Sequence, residues 1–217
     1  MAGRSFYSRK LHSLLGVIPV GLFLVQHFVT NWYSTRGNDA FIAHVQWIHG
    51  LPFLFFLELF GIWLPIAFHG IYGVYIAFQS RNNVGRFSYY RNYMFMLQRV
   101  TGVLTLAFIA WHTWETRVQV ALGKTEITDL GVLMREIFSN PLYFTLYCIG
   151  ILAASFHLCN GMWSFLVSWG ITVGPRAQRI SSYAWTVAFF VIGAIAISSM
   201  FGFTDPDFFT KGAGTHG

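Results

Sequence analysis

Charge is what this sequence lacks most. Only 10% of its 217 residues are Asp, Glu, Lys or Arg, whereas a typical soluble domain carries about 25%. Apolar residues make up 55% of the chain and aromatic residues 19%. So few charges cannot cover a water-soluble globule of this size, and so much hydrophobicity argues against intrinsic disorder. The composition therefore disfavours an ordinary soluble enzyme and favours a protein that lies in a lipid bilayer.

Cysteine is also scarce, and the excess basic residues are not clustered. Cys148 and Cys159 lie in one apolar stretch, where eleven helical residues separate them by about 16 Å, too far for a disulfide bond. No C-x-x-C-H motif supports covalent haem attachment. The net charge is +6, but the basic residues do not form one motif, so we expect no nucleic-acid partner.

Five long apolar stretches dominate what is present. Each exceeds the roughly 20 residues needed to cross a hydrocarbon core, and a spanning segment must satisfy its own backbone, so we expect helices. The fold class predicted is an all-α membrane protein, with a four-helix bundle plus a fifth helix in one membrane domain, residues 1–217. A short surface helix is expected within residues 115–140. The predicted spans are residues 11–32, 53–78, 93–114, 141–169 and 183–203.

Basic residues predict the orientation of these spans. Nine of them share one side, and all eight acids lie on or near the other. The positive-inside rule then places the N-terminus in the cytoplasm and the C-terminus outside. The first span is too long for a signal peptide, and no mitochondrial transit signal is visible, so we expect a bacterial cell membrane. The nine basic residues are Arg4, Arg9, Lys10, Arg81, Arg86, Arg91, Arg99, Arg176 and Arg179.

Four spans carry one histidine each, and ionisable side chains inside a membrane are costly and usually functional. His27 and His112 lie near the outer ends of the first and third spans. His69 and His157 each lie 16 residues into spans that run inward, about 24 Å below the outer surface. The spacing therefore predicts an outer pair, His27 with His112, and an inner pair, His69 with His157.

Paired imidazoles across a helical bundle are typical of six-coordinate haem. Zinc needs more ligands close together, usually with Cys or carboxylate. We therefore predict that the outer and inner pairs bind the iron of two haems, one above the other, about 16 Å apart. The other histidines, His44, His49 and His216, are interpreted as solvated residues of loops and tail.

Four glycines of the spans lie at the depths of the histidine pairs. Gly16 and Gly150 lie on nearly the same faces as histidines and are predicted to make room for the inner and outer macrocycles. Gly61 and Gly102 are rotated by about 80° and fit less well. Ordinary small-residue helix packing is the alternative for any one glycine.

Charged residues complete the candidate site. Arg99 lies inside a span and is the best candidate for an inner haem propionate, with His12 nearby; snorkelling to the interface is the alternative for Arg99. On the outer side Arg117 or Asn31 is a candidate. Glu58 is the only carboxylate inside a predicted span and lies near the outer end of the second one. We interpret it as a proton donor or acceptor for a quinone beside the outer haem, with an interfacial acid that reaches water as the alternative.

Several motifs resemble one known family. The resemblance extends over about residues 6–182 and identifies the chain as similar to the cytochrome b membrane-anchor subunit of succinate dehydrogenase, Bacillus type. The motifs are Arg9-Lys10-Leu11-His12-Ser13-Leu14-Leu15-Gly16, Gln26-His27, His69-Gly70-Ile71-Tyr72-Gly73-Val74-Tyr75, Arg91-Asn92-Tyr93-Met94-Phe95, Leu97-Gln98-Arg99, Trp111-His112-Thr113-Trp114-Glu115-Thr116-Arg117, Asn160-Gly161-Met162-Trp163-Ser164-Phe165 and Trp169-Gly170-Ile171-Thr172-Val173.

The resemblance implies cofactors, partners and a reaction. It implies two haems b, the inner bound by His69 and His157 and the outer by His27 and His112. It also implies a flavoprotein with FAD and an iron–sulfur protein on the cytoplasmic face, with electrons passing through both haems to a quinone, typically menaquinone. Succinate oxidation would occur on the partner subunits. The quinone site would lie near the outer haem, where Glu58 is the candidate.

Three alternatives remain open at this point. The chain could serve a quinol:fumarate reductase or another quinol-oxidising complex, since the same architecture works in either direction. A proton or metal transporter could use the histidines, and it would be colourless when purified. A passive anchor without a cofactor would leave the paired depths unexplained.

Overall fold

The computed structural model describes residues 2–80 and 83–211, and all regular structure in those ranges is helical. Arg81 and His216 lie outside the described residues. The α-helices are α1 (Ala2–Val17), α2 (Pro19–Trp32), α3 (Asn38–His49), α4 (Leu54–Glu58), α5 (Leu64–Gln79), α6 (Tyr90–Thr113), α7 (Gln119–Ala121), α8 (Leu130–Ser139), α9 (Pro141–Ser168) and α10 (Pro175–Thr204).

Among the described residues, five helices are long and apolar enough to cross a membrane, which confirms the predicted all-α membrane fold. They extend several residues beyond most of the apolar stretches because the helices continue into their polar ends. Two spans contain one turn of π-helix each, at Leu59–Trp63 and Trp114–Val118. We number the spans I (Ser5–Arg36), II (Leu54–Gln79), III (Tyr90–Ala121), IV (Pro141–Ser168) and V (Pro175–Thr204).

Prolines and caps explain where helices begin. Pro19 has no N–H to donate, so it interrupts span I between α1 and α2. Span IV begins with Pro141, and the Asn140 side chain accepts the backbone N–H groups of Leu142 and Tyr143 at 2.9 and 3.4 Å. An Asn cap followed by proline in the first turn is a strong helix start.

Spans I to IV form a ring. Span I packs against span II, II against III, III against IV and IV against I, while span V covers the side formed by spans I and IV. We call the end that holds Lys10 the inner end. There Lys10 donates to the Ser168 carbonyl oxygen, and Asn160 donates to that of Met94 at 3.2 Å. The opposite end is the outer end.

The most tightly packed core lies at the outer end. Helices α3 and α8 and the segment after span V close over the bundle there. Gly202 lets spans I and V approach closely, since a Cβ would lie 2.5 Å from the Ser34 hydroxyl oxygen. Helix α8 matches the surface helix expected within residues 115–140. The large side chains of this core include Phe28, Phe41, Phe138, Tyr147, Met200, Phe203 and Phe208.

The prediction that His44 and His49 lie in a solvated loop is wrong. Both belong to α3, which forms because Phe41, Ile42 and Val45 bury one helical face against the bundle. His44 stacks on the Tyr33 ring with centroids 4.4 Å apart, and His49 lines the central cavity. Sequence inspection missed this short apolar face between longer apolar stretches.

Candidate functional site

The ring of spans encloses a large cavity. Its volume is about 860 Å³, within the range of about 300–1,000 Å³ typical of ligand and cofactor sites. The four span histidines are half-buried because each borders this cavity. They are His27, His69, His112 and His157.

The outer pair of histidines meets across the cavity. The imidazole centroids of His27 and His112 are 5.8 Å apart, with their planes at 70°. His27 comes from span I and His112 from span III, so the rings project from helices on opposite sides of the ring of spans. Two neutral imidazoles placed this way can bind one metal ion from both sides.

The inner pair repeats the arrangement. The centroids of His69 and His157 are 6.0 Å apart, with planes at 81°. These side chains come from spans II and IV, the other two opposite members of the ring. The structure therefore contains two facing imidazole pairs, each formed by different helices.

Contacts along two spans set the distance between the pairs. The outer pair adjoins Tyr147 of span IV, ten residues before His157 of the inner pair. In span III, His112 of the outer pair lies ten residues after Gly102, which faces the His157 ring. Both offsets correspond to about 15 Å at the helical rise of 1.5 Å per residue.

Backbone carbonyl groups orient the inner imidazoles. His69 Nδ1 lies 2.8 Å from the His12 carbonyl oxygen, and His157 Nδ1 lies 3.0 Å from that of Gln98. A carbonyl oxygen only accepts, so Nδ1 of His69 carries the proton and its Nε2 keeps its lone pair. His157 Nδ1 also lies 3.2 Å from the side-chain nitrogen of Gln98, so Gln98 contacts this ring through both its backbone and its side chain. Metal-binding histidines are usually held by such a bond on the second nitrogen.

Side chains orient the outer imidazoles instead. His112 Nδ1 lies 3.3 Å from the Tyr147 hydroxyl, which donates to Glu115 Oε2 at 3.2 Å. Asn31 Nδ2 lies 3.2 Å from His27 Nε2 and donates to the His27 carbonyl oxygen at 2.8 Å. Metal binding through His27 Nε2 therefore requires Asn31 to keep only its bond to the carbonyl oxygen.

Glycines make room for the inner imidazoles. A Cβ on Gly16 would lie 2.2 Å from His69 Cε1, and one on Gly102 would lie 2.8 Å from His157 Cε1. Gly102 thus faces the cavity, although the sequence projection rotated it away. That projection assumes a straight span and ignores how far the opposite side chain reaches.

Two other glycines behave differently. A Cβ on Gly150 would lie 2.3 Å from the Phe108 ring, so Gly150 faces this ring instead of the cavity. Phe108 in turn stacks on His112 with centroids 5.8 Å apart. Gly150 therefore adjoins the outer pair only through Phe108, which corrects the direct role predicted for it. A Cβ on Gly61 would meet no heavy atom within 4 Å.

Cationic side chains line the inner end of the cavity. Arg9, Arg91 and Arg99 all border it. Arg91 also donates to Gln178 at 3.2 Å. The His12 ring stacks on the His69 ring with centroids 4.1 Å apart and planes at 4°, so His12 supports an inner imidazole directly.

Glu58 has a cationic partner at the outer end. Arg117 Nε and one terminal nitrogen donate to its two carboxylate oxygens at 3.1 and 2.7 Å. Arg117 and Asn31, the candidates for an outer propionate, therefore each have a protein partner: Arg117 bonds to Glu58, and Asn31 donates to the His27 carbonyl oxygen. His49 lines the same part of the cavity, and burial, helped by the Arg117 charge, lowers the pKa of His49 below its ordinary value.

Sequence inspection missed Tyr147 and the two π-helical turns. One π turn directly follows Glu58, and the other contains Glu115 and Arg117. Turns of this kind occur mostly at functional sites, but their sequences carry no clear signal. Tyr147 could have been found, because it lies ten residues outward of His157 and hence at the depth of His112.

Metal clusters of another kind are not apparent. Within residues 2–80 and 83–211, no group of three or more His, Cys, Asp or Glu side chains is placed to hold a metal ion.

Comparison with known proteins finds one family model and one curated relative. A family model described as succinate dehydrogenase/fumarate reductase transmembrane subunit matches residues 79–196. The succinate dehydrogenase cytochrome b558 subunit of Bacillus subtilis (strain 168) is 48% identical over 200 residues, which make up 92% of this chain and 98% of that protein. No solved structure matches the chain significantly.

Proposed function

Because the chain belongs to the succinate dehydrogenase/fumarate reductase transmembrane subunit family, we propose that it is the dihaem cytochrome b anchor of a succinate:quinone oxidoreductase. In this role it passes electrons from an iron–sulfur subunit to a quinone, whereas the dicarboxylate chemistry takes place on the partner subunits. The family covers both dehydrogenase and fumarate reductase subunits, and the 48% identical relative is a succinate dehydrogenase subunit.

The residues of the cavity fit two haems b. With metal–nitrogen bonds of about 2.0–2.1 Å, two imidazoles on opposite sides of one metal ion have ring centroids roughly 6 Å apart. The observed separations are 5.8 and 6.0 Å. His27 and His112 would hold the outer haem, and His69 and His157 the inner one. Haem bound in this way supplies one-electron transfer.

The inner rim offers partners for the anionic propionates of a haem. Arg99 and Arg9 border the cavity there, and His12 packs on His69. A guanidinium group inside a span is costly without an anion, so a propionate would offset that cost for Arg99. Arg99 and His12 are therefore our proposed inner propionate contacts.

The observation that carries this proposal is the presence of two pairs of facing imidazoles, one pair at each of two depths. We expect membranes that contain the chain with its partner subunits to give a reduced-minus-oxidised spectrum with two b-type haem components. A transporter or a passive anchor predicts a colourless protein. A purified complex with no haem would refute the proposal.

Orientation and partners follow from the charges at the two ends. The described basic residues of the inner end include Arg9, Lys10, Arg91 and Arg176, so the positive-inside rule places this end in the cytoplasm. The N-terminus would be cytoplasmic and the C-terminus outside, in a bacterial cell membrane. The iron–sulfur subunit and the FAD-containing flavoprotein would bind at the inner end.

The outer end is our proposed quinone site. Reduction of a quinone, here menaquinone, consumes two electrons and two protons, so the site needs a group that transfers protons. Glu58 and His49 border the cavity beside the outer pair, and Arg117 holds the Glu58 carboxylate in place. The lowered pKa of His49 keeps its imidazole neutral near pH 7, so it can accept or donate a hydrogen bond.

Removing the Glu58 carboxylate should slow quinone reduction. We expect Glu58→Gln to lower the rate of succinate:quinone turnover by roughly 10²-fold, the lower limit for a lost proton donor or acceptor. Haem content and succinate oxidation by a soluble dye should not change. Glu126→Gln, which alters an exposed acid of the outer loop, is the control. Unchanged quinone turnover in Glu58→Gln would exclude Glu58 from proton transfer.

A further inference from the structure

The two proposed haem sites differ in what holds their histidines. At the inner site, Nδ1 of His69 lies 2.8 Å from the His12 carbonyl oxygen, and Nδ1 of His157 lies 3.0 Å from the carbonyl oxygen of Gln98 and 3.2 Å from its side-chain nitrogen. At the outer site, His112 adjoins a tyrosine hydroxyl that is itself bonded to a carboxylate. A carboxylate thus lies at the end of a hydrogen-bonded chain from one outer ligand, whereas the inner rings contact neutral carbonyl groups.

The chemistry of each group determines which one donates in the hydrogen bonds that link His112, Tyr147 and Glu115. A carboxylate has no hydrogen to donate, so the single hydroxyl hydrogen of Tyr147 goes to Glu115 Oε2 at 3.2 Å. The Tyr147 oxygen can then only accept from His112 Nδ1, which lies 3.3 Å away. His112 therefore carries its proton on Nδ1 and presents Nε2.

Packing keeps Tyr147 in this position. Its side chain is 1% exposed, and aromatic rings surround it with centroids 5.0 to 5.2 Å away, from Trp111, Phe138 and Phe108. Glu115 lies in the π-helical turn that begins two residues after His112. Glu115 is three residues after His112 in the same span, so both side chains lie on one helical face and reach Tyr147.

We propose that Tyr147, bonded to Glu115, is a positioning residue that lowers the reduction potential of the outer haem. The proposal rests on the proposed function, since it takes His112 as a ligand of that haem. A hydrogen-bonded chain that ends on a carboxylate draws the Nδ1 proton away from the ring and makes the imidazole a more basic ligand. A more basic ligand stabilises ferric iron over ferrous iron, which lowers the potential.

The test compares reduction potentials in the assembled complex. We expect Tyr147→Phe to raise the midpoint potential of the outer haem by about 59 mV, a tenfold change for a one-electron couple, and to leave the inner haem unchanged. A tenfold change is the lower limit of the loss in metal affinity or activity when a group that orients a metal ligand is removed. Tyr143→Phe is the matched control, since Tyr143 lies one turn away on the same span and packs on Trp111 at 5.7 Å.

A second variant covers the case in which Tyr147→Phe fails to bind the outer haem. Glu115→Gln keeps an acceptor for the Tyr147 hydroxyl but removes the charge, so we expect a smaller rise in the same potential. An unchanged outer potential in Glu115→Gln and in any haem-loaded Tyr147→Phe would overturn the proposal, as would equal shifts of both haems. A wild-type complex without two haem components would instead refute the proposed function.

Discussion

Replacing any one of the four span histidines by alanine should halve the haem content of the complex, from two haems per chain to one. Each proposed haem would be held by one imidazole from each side, and a haem left with a single imidazole would be held less tightly in a cavity of about 860 Å³. The loss should be pairwise. His27→Ala and His112→Ala should remove one spectral component, and His69→Ala and His157→Ala the other.

The measurement is haem per chain in the purified complex, together with an optical redox titration. His44→Ala is the control, because His44 lies in the outer helix α3, stacks on Tyr33 and is not part of either imidazole pair. Retention of both haems after His112→Ala would reject the pairing. So would loss of the same component in His27→Ala and His69→Ala.

Depth along the spans was the property that sequence could predict well. A helix rises 1.5 Å per residue whatever its neighbours are, so the distance of a histidine from a span end gives its level in the bilayer. The five spanning helices could be predicted from the length of the apolar stretches, and the surface helix α8 from the long connection that contains it. Family motifs around His69 and His112 added the expected identity, and the close relative supports it.

Rotation about the helix axis was much harder to predict. Gly150 meets Phe108 and Gly102 meets His157, although the projection favoured the first over the second. The projection assumes straight spans at 100° per residue and ignores how far the facing side chains of Phe108 and His157 reach. The ion pair of Glu58 with Arg117 forms where both π turns occur, so spacing in sequence did not reveal it.

Adding one methyl group at Gly16 should damage the inner haem site selectively. A Cβ there would lie 2.2 Å from His69 Cε1 and 2.4 Å from Nδ1, so the imidazole must move. Movement breaks the 2.8 Å bond from His69 Nδ1 to the His12 carbonyl oxygen, which contributes about 0.5–1.5 kcal/mol. Overpacking adds about 1–3 kcal/mol. The expected result for Gly16→Ala is loss of most of the inner haem with the outer haem retained.

Two further glycines grade the effect. Gly102→Ala should reduce inner haem less, because its Cβ would lie 2.8 Å from His157 Cε1 and a small ring displacement relieves the contact. Gly61→Ala should have no effect on haem, since its Cβ would meet no heavy atom within 4 Å. Haem occupancy resolved by redox titration measures the series. If all three variants keep the same amount of inner haem, the His69 imidazole does not contact Gly16 when haem is bound. The three glycines would be equivalent only if that imidazole had moved away from Gly16.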